Sequence, residues 1–91
     1  MSLDTRTTLE ALAADVIRLD QHPTLWESVE AERAGVAYVE ACAAVGYEWM
    51  DDPEAYRYVM GTGPRGSGKA TPAEFARFTL PRAIVAAGGE L

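Results

Sequence analysis

The 91-residue chain has no asparagine and only one lysine, one histidine and one cysteine. Cys42 alone excludes an intrachain disulfide framework and any zinc site built from several cysteines. A single histidine gives metal binding no support. Long apolar runs are also missing. The longest nearly uncharged stretch, Ala34 to Tyr47, has 14 residues and contains Glu40, too short to cross a bilayer. Near the N-terminus, Asp4, Glu10 and Asp15 replace the basic-then-apolar order of a secretory leader. The pattern therefore predicts a cytoplasmic protein without a membrane segment. No alternating apolar run of strand length occurs, so the expectation is an all-α chain.

What is present fits one small globular domain over 1–91. The apolar share of 48% and charged share of 24% are ordinary. A chain of this size buries only roughly 60–65% of the surface its unfolded form exposes, and self-association or a partner would add to its core. Sixteen residues are alanine, and seven of the eight basic residues are arginine, a bias that carries no functional reading. Net charge is −6, unevenly placed. Residues 1–54 hold 12 acids against three arginines, a balance of −9, whereas residues 55–91 carry +3. Such a charge dipole bears on association and choice of partner.

Helix start signals recur along the chain. Thr7 and Glu10 have capping-box spacing, followed by Leu9, Leu12, Ala13, Val16, Ile17 and Leu19 on one helical face. His22-Pro23 ends that helix. Thr24 and Glu27 repeat the spacing and open a long helix, about 25–45, expected to be the central member. Its alanines at 34, 37, 41 and 44 form a seam for close helix approach, and its apolar second half implies burial on more than one side. Gly46 is its natural C-terminal cap. Asp51-Asp52-Pro53-Glu54 starts a short third helix ending at Gly61. Thr71-Pro72-Ala73-Glu74 starts a fourth, in which Pro81 predicts a kink or a division into 72–79 and 81–87. Gly88-Gly89 closes it. The expected fold is a compact bundle of four to five helices with short C-terminal helices and a flexible Gly-rich loop, 61–70.

That loop contains the strongest motif. Gly63 to Lys69 fits G-x-x-x-x-G-K, the phosphate-cradling P-loop core. The hydroxyl that should follow the lysine is replaced by Ala70, no buried strand leads in, and too few residues follow for a nucleotide-binding sheet. Thr71 reads better as a helix cap. A narrower possibility is anion contact through Arg65, Lys69 and the next helix N-terminus. The segment from Thr71 to Val85 has helix-turn-helix character, but it lacks the turn glycine and belongs to an acidic chain, so nucleic acid is disfavoured. Mimicry of nucleic-acid charge by Glu27, Glu30, Asp51, Asp52 and Glu54 is weakened by the capping roles of the last three. Cys42 and His22 are too far apart to form a natural nucleophilic pair. Acid–base work by the Asp51-Asp52 pair would need a cleft and a raised pKa, and the sequence shows neither.

Tyr47, Trp49, Tyr56 and Tyr58, with Met50 and Met60, are residue types enriched at protein interfaces. Trp49 and Tyr56 are expected in the core. Tyr47, Arg57 and Tyr58, together with Arg65 and Lys69, are expected to contact a partner or anion. The sequence thus points to a non-catalytic, cofactor-free interaction or accessory protein that binds another protein or itself. Two alternatives are a nucleic-acid-associated regulator using 71–87 and a small subunit lending a loop to a larger enzyme's active site.

Overall fold

The computed structural model describes residues 3–20, 25–62 and 70–89. Four α-helices lie among them: α1, Leu3–Asp20; α2, Leu25–Ala44; α3, Pro53–Arg57; and α4, Pro72–Ala86. A 3₁₀ turn, Trp49–Asp51, precedes α3, and a π turn, Tyr58–Thr62, follows it. No strand occurs among the described residues. The radius of gyration, 12.8 Å, is close to the roughly 12 Å of a compact chain this long.

Each boundary has a local cause. α1 begins at Leu3, one turn earlier than the Thr7–Glu10 spacing indicates. Asp4 complements the helix dipole in its first turn, and Glu10 pairs with Arg6 at 3.8 Å instead of serving as a cap. α2 starts at Leu25 as expected, although Thr24 lies outside the described residues. At its other end Gly46 adopts φ +94°, and two hydrogen bonds close the turn: Gly46 N–H to the Ala43 carbonyl at 3.0 Å and Tyr47 N–H to the Cys42 carbonyl at 2.9 Å. This is the Schellman arrangement. Gly88 repeats it at the end of α4, with φ 90° and Gly89 N–H bonded to the Ile84 carbonyl.

α4 is one helix, so the expected division at Pro81 does not occur. Proline cannot donate to the Arg77 carbonyl, but its ring is tolerated where tertiary packing holds the helix on both sides. That packing is present: Ala76 and Thr79 precede Pro81, Ala83 and Ile84 follow it, and all four are buried.

The central position falls to α1 rather than α2, because the backbones of both α2 and α4 pack closely on α1. Its Leu9, Ala13 and Val16 are each 1% exposed and form the middle of the core. Burying a leucine or valine this fully stabilises by about 1.5–3 kcal/mol. α2 contributes Tyr38 and Cys42, with Ala34, Ala41 and Val45 packed alongside. Ala34 and Ala41 of the alanine seam are therefore used within the chain. Tyr38 spans from α2 to α4, meeting the Phe75 ring edge-on at 6.1 Å and the Thr79 hydroxyl at 2.8 Å.

Candidate functional site

The segment between α2 and α4 is built around one carboxylate. Asp52 caps α3, its Oδ1 accepting the Glu54 and Ala55 amides at 3.2 and 3.5 Å. Its Oδ2 accepts the Tyr47 hydroxyl at 2.9 Å and Arg82 Nη1 at 2.8 Å. Burial pushes the Asp52 carboxyl up, but the bonds from Arg82, Tyr47 and Ala55 outweigh it and hold the carboxyl below the usual aspartate value. Arg82 also reaches Glu54 and lies 4.7 Å over the Phe78 ring, which stacks on Tyr58 at 4.3 Å. Trp49 and Phe75 meet in a T-shaped contact with ring centres 5.5 Å apart. These contacts fasten the α3 corner to α4.

Helical phase then decides what the corner exposes. Ala55 is fully buried, which turns Tyr56 and Arg57 outward, and Met60 follows Tyr56 by about one turn. Met50, Tyr56 and Met60 are 64%, 45% and 39% exposed. With Pro53, Arg57 and Gly61 they line an open groove of about 670 Å³. Tyr56 is thus a surface residue rather than the expected core residue. It stacks on the outer side of Trp49 at 6.0 Å, and Trp49 is half-buried.

The residues expected to make contacts are distributed unevenly. Arg57 lies in the groove. Tyr58 is half-buried against Phe78. Tyr47 is 8% exposed and belongs to the core cluster, leaving a partner little of its surface. Burial, and then the Asp52 carboxylate, push its hydroxyl pKa up, so it stays protonated. Arg65 and Lys69 lie outside the described residues. Met50, Tyr56 and Met60 belong to the aromatic and methionine cluster but are not among the residues singled out there for contact. The Asp-Pro start of α3 carried the signal, because it fixes which residues share Ala55's buried side.

The P-loop requirements are not met in the described residues. A helix and a π turn, not a strand, precede the glycines. α4 begins at Pro72, with Thr71 as its N-cap in a complete capping box. The backbone donors around this terminus already have acceptors. Ala70 N–H bonds the Val59 carbonyl at 3.0 Å, and Thr71 N–H bonds Glu74 Oε1 at 2.7 Å. Ala73 N–H bonds Asp20 Oδ2 at 3.4 Å, and Glu74 N–H bonds Thr71 Oγ1 at 3.2 Å. Two carboxylates therefore occupy the place an anion would take. The same 71–87 stretch is a single helix, so it presents no helix-turn-helix, and Arg82 is committed to Asp52 and Glu54.

Cys42 is buried and unpaired, and burial raises its thiol pKa, as befits a small apolar filler. Among the described residues no group of three or more His, Cys, Asp or Glu side chains is placed to hold a metal ion. No helix among them is long and apolar enough to cross a membrane. Compared with protein families, curated proteins and solved structures, the chain matches none.

Proposed function

We propose that this protein is a small interaction or accessory protein that binds another protein through the Met50–Tyr56–Met60 groove. The observation that carries the reading is the exposure of two methionines and a tyrosine, side by side, on a corner otherwise firmly fastened to the bundle. Large apolar side chains gathered on a surface mark contact sites. Methionine suits such a site because its unbranched thioether adapts to its neighbour. Asp51 and Arg57 add charges of opposite sign to the groove's lining. The rigid base limits the ordering that binding would cost. The lone buried cysteine fits a reducing compartment, and the proposed setting is the cytoplasm.

The test is a Met50→Asp/Met60→Asp variant. Both side chains are exposed, so thermal unfolding should stay close to wild type. A protein that copurifies with the wild-type chain should then be lost from the variant. Equal recovery by both chains would remove the groove as the contact.

A further inference from the structure

A second groove lies elsewhere on the molecule, where the C-terminal end of α1 and the first residue of α4 meet the outer side of α2. Leu19, Gly35, Val36, Val39 and Pro72 give it an apolar lining, and its volume is about 650 Å³. Exposed Glu32 and Glu40 border it on α2, and Asp20 borders it on α1. No cation is among its described lining residues. Gly35 lies within the α2 helix, where glycine is less favourable than alanine. A close neighbour inside the chain would explain it, but a Cβ built at Gly35 meets none of the described residues within 4 Å. No described residue fills the space at Gly35, and a backbone from outside fits there.

We infer that this groove docks a basic amphipathic helix of a partner protein, its apolar stripe over Gly35 and Val36 and its lysines or arginines beside Glu32 and Glu40. An apolar stripe entering a groove between helices is an established mode of peptide recognition. The two glutamates are eight residues apart on one helix, about 12 Å along its axis, so the matching cations belong seven or eight positions apart on the partner. The acidic border also selects against other occupants. A second copy presenting the same face would bring Glu32 and Glu40 against their own counterparts, and an anionic lipid surface would meet carboxylates. This surface shares no lining residue with the Met50–Met60 groove, so the two readings stand or fall separately.

The experiment titrates the full chain into a labelled 18-residue helical peptide with a leucine stripe and lysines seven positions apart. A second peptide carries glutamate in place of each lysine. Fluorescence anisotropy should show binding of the lysine peptide only, weakening as salt rises. Glu32→Lys/Glu40→Lys should reduce affinity at least tenfold. Gly35→Leu should abolish binding by filling the floor. Gly35→Ala, which does not threaten the fold, should weaken it several-fold, and Met50→Asp/Met60→Asp should leave it unchanged. Equal binding of both peptides, no binding of either, or wild-type affinity in the Glu32→Lys/Glu40→Lys chain would overturn the proposal. So would a dimer seen by light scattering that Val36→Asp dissolves, since the groove would then belong to a second copy.

Discussion

Thr79 is the one fully buried polar side chain among the core residues described, and its hydroxyl has two partners. It donates to the Phe75 carbonyl at 2.8 Å, so its single proton is used and Tyr38 is the donor in the bond between them. The two positions are therefore unequal. Tyr38→Phe removes a hydroxyl whose partner keeps another bond, and should cost about 1 kcal/mol. Thr79→Val leaves the buried Tyr38 hydroxyl with only the weak Cys42 sulfur as acceptor and should cost about 1–3 kcal/mol. The double variant should cost less than the two single losses together, measured by urea unfolding. Asp52 permits a second prediction. Asparagine caps a helix as well as aspartate does, so Asp52→Asn spares the cap and removes the Oδ2 acceptor that Arg82 and Tyr47 share. At pH 7 the variant should be less stable by on the order of 1 kcal/mol. Because the folded carboxyl is held below its ordinary value, its stabilisation is complete above the unfolded pKa of about 3.9. It fades as pH falls through the folded value. Melting curves of the two proteins should accordingly converge in acid.

At the scale of elements, α2 carries the clearest departure from local preference. Gly35→Ala should stabilise the isolated protein by about 1 kcal/mol, because the added methyl meets no described neighbour and the helix gains propensity. That corresponds to a rise in Tm of roughly 4–8 °C for a domain this small. A lower Tm would mean that the space above Gly35 is filled. Much of the element plan was legible in the sequence, because its signals act within a few residues. Gly46, Asp52-Pro53 and the Thr71–Glu74 box all operate where their chemistry placed them. Thr7 misled because Asp4 and Arg6 let the helix start a turn earlier. Pro81 misled for the opposite reason: Ala76, Thr79, Ala83 and Ile84 hold α4 together from outside, and no local pattern records that packing. The candidate groove lay between these cases. Its residues were visible as an aromatic and methionine cluster, but which of them faced water depended on Ala55 being buried and Tyr47 being drawn to Asp52.

At the scale of the whole molecule, the helices divide the labour. α1 gathers α2 and α4 around one core, and the Asp52–Arg82 bond with the Trp49–Phe75 contact fastens the α3 corner to that frame. The corner then presents Met50, Tyr56 and Met60 to solvent. Its proposed contact with a partner protein is the central claim. Hydrogen exchange of the full chain, alone and with a protein that copurifies with it, tests this most directly. Exchange across residues 50–61 should slow on binding, with no such change in the Met50→Asp/Met60→Asp chain. Unchanged exchange across 50–61 in a complex that demonstrably forms would contradict it.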